Sequence, residues 1–276
     1  MFDSDFLKRL EYLSLLSKRM FKGQLLAQRR TMQTGGGIEF ADHREYISGD
    51  DLRYLDWNVY ARHGDLLLKR FQEEEDLHVY ILLDSSASMD RADDGGPTKF
   101  TLARQIAAAL AYIALADLDR VSIVTYDSIV RASTPLTRGK AQILTLLRFL
   151  EGLECGGQKT DLQSTVGEFI RSAPRTGLAL VISDLYDQDG FRDGVDRLRY
   201  ARFEPHVVQI HTPAEADPQL LGDVQLVDCE SGKEKKVTVT ERKLRQYKKL
   251  FQSFIRDIET YCQTQGLSHT RTATDV

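Results

Sequence analysis

An α/β fold built on a doubly wound, mostly parallel sheet is what this sequence predicts, and three observations predict it. Short strand-forming runs at residues 77–83, 120–127, 177–184 and 206–211 alternate with segments of helix length. The first run, LHVYILL, is apolar at nearly every position, as a strand covered on both faces must be. Strands joined through helices pair in parallel and place those helices on the two sides of one sheet.

Taken in order, residues 2–30 carry Phe6, Leu10, Leu13, Leu16, Met20 and Phe21 at helical spacing, with Lys8, Arg9, Lys18, Arg19 and Lys22 between them. An amphipathic helix is expected, packed on the domain or a partner, or lying on a membrane surface. Next, Gly35, Gly36 and Gly37 lack both the Walker lysine and dinucleotide spacing, so they are no phosphate loop. Residues 38–72 read as turns and short strands, with Arg44, Arg53 and Arg62 interleaved among Asp50, Asp51 and Asp56 around Trp57. Such acids and bases normally pair locally. The alternative is a partner-docking surface anchored by Arg44, Arg53, Trp57 and Arg62, since Trp and Arg are enriched at interfaces. The acidic run 73–76 is a solvated lead-in to the first strand.

After that strand, DRADDGGPTK is a polar break in which Asp93 and Asp94 either approach the strand end or sit in a solvated turn. Residues 99–118 form an Ala-rich helix. A strand at 120–127 pairs with an antiparallel edge strand at 129–133 across a tight turn. Helices follow at 139–153, with Leu144, Leu147, Phe149 and Leu150 inward, and at 161–173 and 191–201, separated by the strands already named. In the tail, 224–228 and 236–240 alternate around SGK and predict a hairpin. A long helix at 241–265 sets Leu244, Tyr247, Leu250, Phe251, Phe254, Ile258 and Tyr261 on one side. Its basic first half (Arg242, Lys243, Arg245, Lys248, Lys249) is a solvated face or a phosphate patch, and no aromatic platform accompanies it. The expected division is 1–76, an N-terminal extension; 77–222, the sheet domain; and 223–276, a hairpin and helix packed on it.

The candidate chemistry sits where the first strand ends. Asp84, Ser86 and Ser88 follow one another at two-residue spacing, so an extended turn points a carboxylate and two hydroxyls the same way. Strand ends of this kind form the binding crevice of open α/β sheets. Three hard oxygens with one charge make a poor Ca²⁺ cage and no zinc site, but they suit Mg²⁺, which keeps several waters. The same residues also cap turns and helices. Two more oxygen donors fall at the same edge of a doubly wound sheet: Thr160, in the loop GGQKTDL, and Asp184, ending GLALVISD.

Together, Asp-x-Ser-x-Ser, a later Thr before a helix and an Asp ending the next buried strand resemble the metal-ion-dependent adhesion site of von Willebrand factor A-type domains. That resemblance implies Asp84, Ser86, Ser88, Thr160 and Asp184 as a Mg²⁺ set, Mn²⁺ being the substitute ion. The family's Asp-Gly after that strand is Asp-Leu here, in SDLYD. A second likeness is closer. The string GGGIEFADHREYISGDDLRYLDWNVYARHGDLLLKRFQEEED, followed by a strand and DSSASM, resembles the bacterial "domain of unknown function 58" family. Its members carry a von Willebrand factor A-like domain and are commonly encoded beside MoxR-type AAA+ ATPases. The resemblance therefore implies an ATPase-associated module, with no established chemistry of its own, that acts in assembly or remodelling of a client protein.

Composition narrows the classes further. The 276 residues, 42% hydrophobic and 28% charged, support a sizeable core. Cys155, Cys229 and Cys262 have no paired spacing, and the six histidines form no ligand motif, so a disulfide framework and a zinc site are not expected. A net charge of −4 does not point to nucleic acid. No apolar run of membrane-span length and no signal-peptide pattern stands out, and a cytoplasmic location is expected. Three functions remain: a Mg²⁺-dependent protein-interaction module, a Mg²⁺-dependent phosphoester hydrolase using Asp84, and a structural adaptor that binds no metal. Asp-x-Asp and a supporting lysine would favour the hydrolase, and here the second acid is Ser86.

Overall fold

The computed structural model describes residues 2, 6, 8–11, 30–33, 39–74, 77–93, 95–156, 159–187, 190–229 and 232–275. They form two compact units, one of Tyr12–Leu77 and one of Met1–Glu11 with His78–Val276.

The smaller unit holds β1 (Arg30–Gln33), β2 (Glu39–Glu45), the helix α1 (Trp57–His63) and β3 (Leu67–Glu74). β3 lies between β1 and β2 and is antiparallel to both. The turns-and-short-strands expectation is corrected here: β2 and β3 run seven and eight residues, and a helix stands between them. Its stop signals were in the sequence. Asp56 accepts from the N–H groups of Asn58 and Val59 at the start, and Gly64, at φ 77°, ends the helix in the left-handed region that glycine tolerates. Leu55, just before the helix, bridges to Leu68 of β3, and both are buried. The N-terminal helix expected over 2–30 lies mostly outside the described residues, as do the glycine run, Glu75, Asp76 and Asp94; within it Lys8–Glu11 is helical and Arg30 already belongs to β1.

The larger unit is a mixed α/β structure. In chain order it contains β4 (His78–Asp84), α2 (Lys99–Ala116), β5 (Arg120–Tyr126), β6 (Val130–Ser133), β7 (Thr137–Arg138), α3 (Ile143–Glu151), α4 (Leu162–Ser172), β8 (Leu178–Ser183), α5 (Phe191–Tyr200), β9 (Glu204–His211), the single turn α6 (Pro213–Ala216), β10 (Gly222–Val227), β11 (Glu234–Val239), α7 (Glu241–Thr264) and β12 (Ser268–Ala273). The central sheet runs β12-β9-β8-β4-β5-β6, and β7 also pairs with β5. Its first five strands are parallel, while β6 and β7 run antiparallel to β5. β4 therefore has its successor β5 on one side and the later strand β8 on the other.

Burial follows the pleat. Tyr80 and Leu82 join Tyr126, Val181 and Val207 in a core that α4, α5 and α7 close through Val166, Phe169, Leu198, Ile258 and Cys262. Tyr80, Phe169 and Phe203 meet there with ring centroids 5.1–5.7 Å apart. Val79, Ile81 and Leu83 alternate with Tyr80 and Leu82, and α2 packs on β4 and β5. Ala103, Ala107, Ala108 and Ala111 are fully buried in α2, and such small side chains let a helix lie close to a sheet. Each large side chain buried on β4 contributes about 1.5–3 kcal/mol. Among the described residues α2 is the one helix long and apolar enough to match a membrane span, and half of it is buried inside the unit.

Three local expectations are corrected. Leu144 is exposed and Leu146 takes the inward place on α3, because Leu146, Leu147 and Leu150 share one face at three- and four-residue spacing and Leu144 lies off it. On α7 Leu250 is 70% exposed and Ile255 is buried instead. A strand went unforeseen: β12, SHTRTA, pairs in parallel with β9 at the sheet edge, where half-exposed polar residues leave no apolar pattern to read.

Close approach fixes one position on β8's lead-in. A Cβ on Gly177 would land on the backbone carbonyl oxygen of His78, which cannot move without disturbing β4. Gly177→Ala is expected to lower the unfolding free energy by about 1–3 kcal/mol or more, read as a shifted urea midpoint with unchanged slope.

Candidate metal centre

β4 ends in Asp84, and the chain continues extended because the Ser85 N–H and hydroxyl both donate to the Tyr126 carbonyl, at 2.7 and 2.9 Å. Ser86 then turns the backbone into a 3-10 segment, Ala87–Asp90. The Asp84 side chain is fully buried. One of its oxygens accepts from the Ser86 N–H at 2.9 Å and the other from the Ser183 hydroxyl at 2.6 Å. The Ser86 and Ser88 hydroxyls lie 3.0 Å apart, so the predicted convergence of these two side chains is present.

β8 delivers the second carboxylate. Asp184 follows Ser183 and is 1% exposed; its Oδ1 accepts from the Tyr186 N–H at 3.1 Å and its Oδ2 from the Lys99 ammonium at 2.7 Å. Burial, and after it the neighbouring Asp184 carboxylate, pushes the Asp84 carboxyl up to about 7, while the Ser183 and Ser86 bonds pull the other way. Two acids thus share one dry edge.

Asp-Leu after β8 proves to be a strained turn. Leu185 takes φ 63°, the conformation a glycine would adopt freely, which costs about 1–2 kcal/mol for a side-chain-bearing residue. Its side chain is 2% exposed in the core, and that burial contributes about 1.5–3 kcal/mol. The Leu185 N–H also donates to the Ser183 hydroxyl at 2.9 Å, tying the turn to the group that holds Asp84.

Thr160 is 3% exposed in the loop between α3 and α4. That loop is stitched to the β4 end: Cys155 donates to the Ser86 carbonyl at 2.9 Å, and the Gly156 N–H to the Ser85 carbonyl at 3.3 Å. Its other end is held by the Asp161 N–H on the Asp127 carbonyl at 3.1 Å and the Leu162 N–H on Asp187 at 3.0 Å. The structure bonds Asp84 to Ser86 and to Ser183, the residue before Asp184, sets the Ser86 and Ser88 hydroxyls side by side, and ties the loop that carries Thr160 to the backbone of Ser85 and Ser86.

Lys99, Ser183 and Glu215 were not foreseen. Lys99 is 0% exposed and donates both to Asp184 and to Glu215, the latter at 2.6 Å, with the Tyr186 ring 5.0 Å from its ammonium. Burial works against its charge, but Asp184 and Glu215 outweigh that and hold the ammonium above its ordinary pKa. A signal existed: a cation in the first turn of a helix opposes the helix dipole and calls for a partner. Glu215 was legible too, since Thr-Pro-Ala-Glu is a capping box; its Oε2 accepts from the Thr212 N–H at 2.8 Å, leaving Oε1 for Lys99. Asp93 sits in the expected turn, its carbonyl accepting from the Gly96 N–H at 2.9 Å, and its carboxylate accepts from the Ala214 N–H at 2.9 Å.

The four candidate docking residues belong to the smaller unit. Arg44 pairs with Asp50 at 2.8 Å and Arg53 with Asp51 at 2.6 Å, as local pairing predicts. Trp57 is 59% exposed and meets Tyr60 edge-on at 6.1 Å, and Arg62 is exposed.

Residues 42–253 match a family model described as a protein of unknown function, DUF58. Uncharacterised proteins of Mycobacterium bovis and of two Mycobacterium tuberculosis strains are each 27% identical over 225 residues, spanning 81% of this chain and 70% of theirs. Among solved structures, a conserved hypothetical protein BatB from Bacteroides thetaiotaomicron is similar at 16% identity and TM-score 0.45, covering 72% of this chain and 91% of that one. An aerotolerance-related membrane protein from Bacteroides fragilis is similar at 18% identity and TM-score 0.46, covering 71% and 91%.

Proposed function

The chain belongs to the DUF58 family of proteins of unknown function, and from that premise we propose that it is a non-enzymatic, Mg²⁺-dependent protein-interaction module with a doubly wound, von Willebrand factor A-like domain. The strand order supports the fold reading: the chain winds outward from β4 to β5, then returns to β8, β9 and β12 on the other side. In such sheets the crevice opens at the carboxyl ends beside the reversal, where Asp84 and Asp184 sit.

The observation that carries the metal reading is the burial of Asp84 beside Asp184 with two hydroxyls at hand. Two neighbouring acids in a dry site favour a bound cation, and the donors are all hard oxygens, which fit Mg²⁺ or Mn²⁺. Asp84, Ser86 and Ser88 would hold the ion, with Thr160 and Asp184 completing the set. Lys99 already neutralises part of Asp184, so that residue suits an outer role. A bound ion of this kind offers an open coordination position that an outside Asp or Glu side chain can fill. The partner we propose, in the cytoplasm, is a MoxR-type AAA+ ATPase or the client it remodels. Affinity purification of the chain in Mg²⁺ is expected to retain such an ATPase and to lose it in chelator. An ATPase held equally in both, or never recovered, contradicts the reading.

One observation favours a second reading. Lys99 supplies the buried lysine that a phosphoester hydrolase of this type would use, 2.7 Å from Asp184. Its second bond to Glu215 and its complete burial suit a structural counter-ion better. Turnover of p-nitrophenyl phosphate that vanishes in Asp184→Ala would favour the hydrolase.

A further inference from the structure

Next to the Asp84 edge lies a cleft of ≈ 1210 Å³ whose wall runs from Ser88, Lys99 and Tyr186 to the β10–β11 hairpin and the start of α7. Its size exceeds the roughly 300–1,000 Å³ of a pocket for a drug-sized ligand. Four of the lining residues, Leu220, Leu226, Val227 and Tyr247, are large apolar side chains 40–54% exposed. Soluble chains normally bury such a concentration, and apolar surface gathered at one place marks a contact site. The charge around it is uneven. Lys99 is taken up by Glu215 and the buried Asp184, and the remaining lining holds Arg91, Lys233, Lys235 and Lys243 against Asp228 and Glu234. β10 and β11 pair only with each other among the described residues, so each presents an open edge to an extended chain.

We propose that this cleft receives an extended segment of the partner protein, with bulky apolar side chains against Leu226 and Val237 and an acidic residue at the Ser88 end. There the acid reaches the metal shell, so the inference rests on the interaction-module reading and names the chemistry of its partner. An acidic, apolar peptide fits both the excess of cations and the exposed apolar wall. The segment's length along the hairpin supplies affinity, and the acid makes the contact metal-dependent.

A native thiol in the cleft lining makes this testable. Cys229 is exposed, Cys262 is buried, and Cys155 is half-buried with its thiol bonded to the Ser86 carbonyl at 2.9 Å, so an environment-sensitive thiol dye labels Cys229 selectively. The full chain in Mg²⁺ is used to select peptides from a random phage-displayed library, and the synthetic peptides are titrated against the Cys229-labelled chain. The expected peptides carry Asp or Glu beside Leu, Ile, Phe or Trp, shift the dye emission to the blue, and bind about tenfold or more weakly to Leu226→Lys or Val237→Lys. Peptides that need Mg²⁺ but ignore both substitutions overturn the cleft while leaving the metal reading intact. Peptides lost to the substitutions but held equally in chelator keep the cleft and overturn the metal reading. Failure to select any peptide, or a dye shift that follows protein concentration alone and so reveals a second copy in the cleft, overturns the proposal.

Discussion

Lys99→Met is expected to lower the unfolding free energy by about 3–5 kcal/mol, the usual consequence of removing one partner from a buried ion pair. Lys99 is 0% exposed and answers two acids, Asp184 at 2.7 Å and Glu215 at 2.6 Å. Methionine fills much of the same volume, so the loss is electrostatic: Asp184 is left beside Asp84 without the ammonium that answers it now. For a unit of this size the melting temperature should fall on the order of 10 °C. Adding Glu215→Gln to the variant should restore part of the loss, because one of the two stranded charges is then gone. The loss should persist in high salt, since screening acts weakly on buried pairs. Urea titrations of wild type and both variants at low and high salt check this. A loss under 1 kcal/mol, or one erased by salt, would mean that water reaches the Lys99 ammonium.

Asp84→Asn should have the opposite character, leaving the fold intact while removing its response to Mg²⁺. Asparagine keeps an acceptor for the Ser86 N–H and offers an amide toward Ser183, the two groups that hold Asp84 now. It also removes a charge buried against Asp184, so in chelator the variant should be at least as stable as wild type. Saturating Mg²⁺ at about a hundred times its dissociation constant should stabilise wild type by about 2.7 kcal/mol and the variant not at all. Melting curves of both proteins with and without Mg²⁺ give the comparison. Equal stabilisation of the two by Mg²⁺ would move the ion away from Asp84.

Most of the sheet was legible because its signal is repetitive. Buried strands such as HVYILLD and LALVIS are apolar at almost every position, and each is followed by a helix-length segment, so class and strand direction both followed. β12 was not, since an edge strand reading SHTRTA carries no such pattern. In the smaller unit, α1 was hidden by its length of seven residues and its polar face, although Asp56 and Gly64 marked its ends. At the candidate site the spacing of Asp84, Ser86 and Ser88 announced itself. Lys99 gave only a faint signal, a cation opening a helix against its dipole, and its partners were not legible, because only the tertiary fold carries it to Asp184 and Glu215, 85 and 116 positions away. The Leu185 turn was visible as a departure from Asp-Gly, but the sequence did not reveal that leucine would take the left-handed conformation and be held there by its own burial.

The measurement that bears most directly on the metal centre is isothermal titration of Mg²⁺, and separately Mn²⁺, into the full chain and into Asp84→Asn. Saturable uptake at one site by wild type, absent in the variant, is the predicted result. No uptake by wild type, or the same isotherm for both proteins, would contradict it.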